Sequence, residues 1–205
     1  MILALLLAAA QPQSAIDAER AFVADAQTLG QWTAFRKYAT DDAVMFVPQQ
    51  VNAQAFLKDR KDPPASVYWW PGKSFVSCDG SYAVNTGPWV RQYGKAVGYF
   101  TTVWKRQPDG SWKWIYDGGD GLETARAEGG DIKPTIASCE GKAAGAPPVV
   151  LFDADTKIGS GGSADRTLEW LWQVRPNGER SLTVWQWDGQ KMRPVLHDQI
   201  AAEPK

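Results

Sequence analysis

The sequence predicts an α+β fold: N-terminal helices packed on an antiparallel sheet, followed by a C-terminal extension of three further strands. Three observations lead to it. Apolar residues recur at three- and four-residue steps from Ile16 to Tyr38, the period of a helix. From Ser66 to Asp117 the pattern changes to runs rich in Val, Tyr, Trp, Phe and Thr, separated by short glycine-containing turns. Strand character returns from Arg166 onward, around Pro-Asn-Gly-Glu and Asp-Gly-Gln-Lys turns. Three strands of this size do not stand alone, so they extend the main sheet or pack on its back.

The chain opens on MILALLLAAAQPQSA. Its ten apolar residues are too few to cross a bilayer, which takes about 20, and they fit the apolar core of a secretory signal. Ala8 and Ala10 supply a small-residue cleavage pattern, and a cut after Ala15 also fits. Residues 1–15 are therefore expected to be a signal peptide, and the mature protein periplasmic or secreted, with no membrane contact after cleavage. Gly30 should break the first helical segment in two. DDAVMFVP reads as a short strand ended by Pro48, and NAQAFLKDRKDPP as a short helix capped by Asn52 and stopped by Pro63 and Pro64. Strands are expected at Ser66 to Cys78, Tyr82 to Tyr93, Ala96 to Arg106 and Trp112 to Asp117. Their short turns make them antiparallel neighbours. Residues 121–163, dominated by Gly, Ala and Pro, read as a connector, and residues 164–205 as the C-terminal meander.

Composition excludes several classes of function. With 22 basic and 23 acidic residues the formal net charge is -1, and no basic run is long enough for a nucleic-acid partner. The single histidine, His197, lies in the C-terminal meander, which rules out a histidine triad or a histidine-rich metal site in the first domain. No glycine-rich phosphate loop is present, and no cofactor or metal is expected. Eleven tryptophans point to a well-filled aromatic core, an aromatic-lined cavity, or both. The two cysteines, Cys78 and Cys139, suggest a disulfide in an exported chain. It would close a loop of about 60 residues, worth on the order of 4 kcal/mol; two unrelated thiols are the alternative.

Several of these segments together resemble a known family. The leading helices, DDAVMFVP, the short helix, NTGPW, GYFTTVWKRQPDGSWKW and DGGD are similar to the NTF2-like superfamily, and within it to SnoaL-like and DUF4440-like members. The hairpin VWKRQPDGSWKW is the most specific part, and the similarity covers residues 16–120. The resemblance implies a cone in which a strongly curved sheet wraps a long helix, with a cavity between helices and sheet and often a homodimer through the sheet. It does not imply one activity. The superfamily hosts ketosteroid isomerases, polyketide cyclases, dehydratases, epoxide hydrolases and pure binding domains.

Carboxylate chemistry in an aromatic cavity is what the residues leave open. Asp117 and Asp120 are the candidate catalytic pair, since a carboxyl desolvated by Trp and Tyr can act as acid or base near neutrality. Strand alternation puts Trp112, Trp114 and Tyr116 on one face and Asp117 on the other. Asp117 therefore points away from the helices unless the strand bulges at Gly118 or Gly119, and a plain polar exit turn is the competing reading. Gly87 and Pro88 should bend their strand and could aim Asn85 inward. Tyr38, Asn85, Tyr99, Trp69 and Trp114 are the candidate ligand-binding residues. Three readings remain: a binding domain for a small apolar or amphipathic molecule, an isomerase-, cyclase- or hydratase-type enzyme, and a structural or interaction domain whose cavity its own indoles fill. Aromatics in both phases of the meander, such as Trp69 with Trp70 and Tyr99 with Phe100, imply that both sheet faces are covered. One is covered by the helices, the other by a homodimer partner or by the C-terminal strands.

Overall fold

The computed structural model describes residues 14–127, 130–141, 143 and 153–202. The proposed signal segment up to Gln13 lies outside them. Two helices lead, α1 (Ala15–Thr28) and α2 (Gln31–Tyr38). Ser14 caps α1, its Oγ accepting from the Asp17 amide at 3.1 Å. Ala15, Ala18, Phe22, Val23 and Ala26 form the buried stripe of α1, and Glu19 lies within that stripe. Gly30 separates the helices at φ 109°. A side chain there would meet the Asp62 carboxyl, which takes hydrogen bonds from the Thr33 amide and hydroxyl at 2.9 and 2.6 Å.

Next come β1 (Ala39–Phe46), β2 (Gln50–Asn52) and α3 (Ala53–Leu57). Asn52 caps α3 by accepting from the Ala55 amide at 2.8 Å. Pro71 and Gly72 split the expected Ser66–Cys78 strand into β3 (Tyr68–Trp69) and β4 (Lys73–Val76). The long strands β5 (Tyr82–Arg91), β6 (Ala96–Arg106) and β7 (Trp112–Leu122) follow, then the short β8 (Thr135–Ile136). The sheet runs β2-β1-β7-β6-β5-β4-β8, with β3 also paired to β5. The meander β5–β6–β7 is antiparallel as expected, whereas β1 joins β7 in parallel and β8 joins β4 in parallel. On the helix side, Phe22, Trp69, Phe100, Trp104, Trp112 and Trp114 make the main core.

The C-terminal sheet has four strands where three were expected: β9 (Lys157–Gly162), β10 (Leu168–Val174), β11 (Arg180–Trp187) and β12 (Met192–Ile200), a regular antiparallel meander. The extra strand comes from the glycine-rich stretch read as connector. Gly159 and Gly161 pair with Trp172 and Trp170. The indoles lie across the glycine backbones so closely that a Cβ would sit 2.4 Å from the Trp172 ring and 2.7 Å from that of Trp170. Glycine is therefore what allows this strand to pair here.

This second sheet covers the outer face of the first. Phe75, Val84, Val103 and Tyr116 from one side pack with Leu168, Trp170, Trp172, Leu182 and Val184 from the other. Polar ties hold the edges of the contact. Thr101 Oγ1 donates to Asp198 Oδ2 at 2.6 Å, and Arg126 reaches Asp198 Oδ1 at 3.3 Å while its guanidinium stacks 3.7 Å above the Tyr99 ring. Cys78 and Cys139 are joined by a disulfide with Cα atoms 5.3 Å apart, fixing the segment after β8 beside β4. The face that a homodimer partner was expected to cover is thus occupied by the chain's own C-terminal strands. Among the described residues, no helix is long and apolar enough to cross a membrane.

Candidate functional site

The run Asp117-Gly118-Gly119-Asp120 does not end its strand. β7 continues through it to Leu122, pairing Asp117 with Thr102 and Asp120 with Tyr99. Which way Asp117 points is decided four residues into the strand. Trp104 is opposite Trp114, yet Val103, the next residue back along β6, is opposite Tyr116. Ile115 is therefore an inserted residue, a bulge in which Ile115 and Tyr116 share the outer face with Val103. Trp112 and Trp114 point toward the helices, Tyr116 points away, and Asp117 points inward again. Its Oδ2 accepts from the inward hydroxyl of Thr102 at 3.0 Å. The bulge that the alternation argument required exists, but ahead of Asp117 and not at Gly118 or Gly119.

Asp117 opens onto a cavity of about 230 Å³ between α2 and the inner face of the sheet. Phe35, Phe46, Trp69, Trp89 and Phe100 supply its aromatic lining. Gln31 takes part too, its amide oxygen accepting from the Val67 amide at 3.0 Å. Asp120 and Arg91 stand exposed at the mouth. The Asp120 carboxylate accepts from the Gly121 amide at 2.8 Å, so it belongs to the rim.

Behind the aromatic wall lies Glu19, a residue the sequence argument passed over. It is fully buried. Its Oε1 accepts from the Trp69 indole at 2.8 Å and its Oε2 from the Trp104 indole at 2.7 Å, with the Asn85 amide nitrogen at 3.3 Å. Burial pushes Glu19 up to about 7 against the pull of these three donors. Burial likewise pushes Asp117 up to about 8, helped by the negative charge of Glu19 and opposed by the Thr102 hydroxyl. The cavity is thus walled by rings and carries a carboxyl whose ionisation burial displaces upward, suited to donating a hydrogen bond or releasing a proton.

Of the residues singled out from sequence, Asp117, Asp120, Trp69 and Tyr99 line this cavity. Tyr99 lies beneath the Arg126 guanidinium, and its backbone carbonyl accepts from the Trp89 indole at 3.0 Å. Burial raises the Tyr99 hydroxyl well above its ordinary range. Three candidates lie elsewhere. Asn85 is spent on the core, donating to the Ala15 carbonyl at 2.8 Å as well as to Glu19. Tyr38 packs on Phe22 and donates to Asp25 at 2.9 Å, closing α1 on α2. Trp114 is fully buried beside Phe35. His197 sits on β12 against Thr183, 2.9 Å away. No group of three or more His, Cys, Asp or Glu that could hold a metal occurs among the described residues.

No family model matches the chain, and no curated protein matches it significantly. Solved structures do show a similarity. A "putative ketosteroid isomerase" from Parabacteroides distasonis aligns at TM-score 0.44 and 18% identity, over 54% of this chain and 90% of that one. A protein of unknown function in the DUF3225 family from Pectobacterium atrosepticum aligns at TM-score 0.39 and 13% identity, over 52% and 87%. The CaMKII hub of S. rosetta aligns at TM-score 0.40 and 21% identity, over 56% and 100%. Similarity at this level leaves activity open. Residues 14–122 have the arrangement that the sequence resemblance implied, leading helices laid on the inner face of a sheet built around the β5–β6–β7 meander.

Proposed function

We propose that the chain is an exported binding domain that takes a small, largely apolar molecule into the cavity above Asp117, with the molecule's one polar group set against that carboxyl. The observation that carries this reading is the Ile115 bulge. It turns one carboxyl inward onto an otherwise aromatic wall, the few-polar-groups-in-an-apolar-pocket pattern of ligand sites. The volume of about 230 Å³ lies below the roughly 300–1,000 Å³ of sites for drug-sized ligands, so a single ring or short chain fits better than a fused polycycle. The Cys78–Cys139 bridge supports an oxidising destination. The Ser14 cap and the buried Ala15 support cleavage after Ala10, because a cut after Ala15 would remove both from α1.

The test is a panel of single-ring alcohols, ketones and amines, followed by tryptophan fluorescence and melting temperature. Saturable binding that weakens at least tenfold in Trp89→Ala is the expected result. If no compound binds saturably, or Trp89→Ala leaves affinity unchanged, the reading fails. The near-neutral ionisation of both Asp117 and Glu19 favours a second reading, an isomerase-, cyclase- or hydratase-type enzyme in which Asp117 moves a proton. Turnover of an enolisable ketone that Asp117→Asn abolishes would put it in place of the first.

A further inference from the structure

The cavity holds one inward carboxyl, Asp117, with no cation paired to it. Glu19 faces Asp117 from α1, and Asp120 stands at the mouth on β7. Among the described residues, none of the three takes part in an ion pair. The other elements around Asp117 bring no cation inward. Thr102 comes from β6, Phe35 and Gln31 from α2, and Trp69 from β3. Among the described residues, Arg91 is the one basic residue lining the cavity, and it lies exposed at the rim, its guanidinium 5.6 Å from the Trp89 ring centre. Aromatic faces carry the negative end of the ring quadrupole, so a cation seated over the face of Phe35, Phe46, Trp69, Trp89 or Phe100 is attracted to it. An anionic ligand would meet the Asp117 carboxyl among five aromatic residues, with Glu19 behind the wall adding negative charge. A cation inside the cavity would meet Asp117 and the rings, with Arg91 held out at the exposed rim.

On the reading of the cavity as a ligand site, we infer that its ligand is a small single-ring amine, bound as the ammonium ion with its charge on Asp117 and its ring among the aromatic walls. The proton balance is explicit. The ammonium keeps its proton and its N–H groups donate to the carboxylate, while the proton carried by Asp117 in the empty cavity passes to the buffer. Desolvation with no cation paired to them pushes the ionisation of Glu19 and of the partly buried Asp117 upward, and the arriving charge opposes that effect at the nearer one, Asp117. A neutral oxygen ligand behaves in the opposite way. It accepts from the protonated carboxyl and is released as Asp117 ionises above pH 8.

Calorimetry with benzylamine and its neutral counterpart benzyl alcohol separates the cases. Titrations at pH 7 in phosphate and in Tris, whose ionisation heats differ, count the protons exchanged. Benzylamine is expected to bind at least tenfold more tightly than benzyl alcohol, to release close to one proton per site, and to gain roughly tenfold in affinity from pH 6 to pH 7. Asp117→Asn should abolish the proton release and the preference for the amine. The wild-type proton count stands as a test even if that variant folds poorly. Amine binding without proton release, or benzyl alcohol binding as tightly as benzylamine, overturns the amine inference and leaves the ligand reading standing. Binding of neither compound overturns both.

Discussion

Substituting Glu19 by glutamine tests the buried core of the site through stability alone. In the unfolded chain Glu19 ionises near its ordinary value of 4.5; in the folded protein it does so only near 7. Between these values the unfolded state gives up a proton that the folded state keeps. The stability Glu19 contributes is therefore complete below pH 4.5 and lost as pH rises through 7. At about 1.4 kcal/mol for each pH unit between the two values, the loss is about 3 kcal/mol. For a chain of this length that corresponds to about 6–12 °C in melting temperature. Asp117 adds a loss of the same sign, from its ordinary 3.8 to about 8. The wild type should accordingly melt higher at pH 5 than at pH 8. Glu19→Gln cannot titrate, and its amide offers one acceptor where Trp69 and Trp104 need two. At pH 5 the variant should be less stable by about 1–3 kcal/mol, the cost of an unpaired buried donor. By pH 8 that deficit should vanish or reverse. Thermal melts followed by far-ultraviolet circular dichroism, at pH 5, 6, 7 and 8, read the difference. If the variant shows the same pH slope as the wild type, the account of Glu19 is wrong.

Other outcomes follow from the packing. Replacing both cysteines by alanine should cost about 4 kcal/mol, because 61 residues separate Cys78 from Cys139 and the cross-link limits the unfolded chain; urea unfolding measures it, and an unchanged midpoint refutes it. Gly161→Val puts a side chain into the Trp170 ring and should cost about 1–3 kcal/mol. Gly121→Ala, where a Cβ meets nothing within 4 Å, should stay within about 0.5 kcal/mol. A chain ending at residue 143 uncovers Phe75, Val84, Val103 and Tyr116 and should self-associate in light scattering, whereas the full chain runs as a monomer at micromolar concentration. A monodisperse truncated monomer would show that the second sheet is not the cover.

What could be read from the sequence was whatever neighbouring residues decide. The Gly30 break, the Asn52 cap and the hairpin turns around Cys-Asp-Gly-Ser and Pro-Asp-Gly-Ser are local chemistry, and they gave the order of helices and meander. The Ile115 bulge was hidden because Trp112 to Tyr116 reads as unbroken alternation, and only the partner strand determines that two residues face one. Glu19 did leave a trace, a carboxylate three residues before Phe22 and four before Val23 on an apolar helix face. Its meaning depended on Trp69, Asn85 and Trp104, which arrive from 50, 66 and 85 residues away. The stretch Lys157–Gly162 reads as linker by composition, and two distant indoles make it a strand.

The covering of the outer face by β9–β12 also bears on behaviour at dilution. A face buried against a second molecule is buried only while that molecule is present in sufficient concentration, and its stability falls with each dilution step. Here the covering layer is on the same chain. It meets the Val84–Val103–Tyr116 surface at an effective concentration set by tether length, which no change in the surroundings alters. The disulfide at Cys78 holds the tether near its midpoint and shortens the free path still further. Melting temperature should therefore be independent of protein concentration.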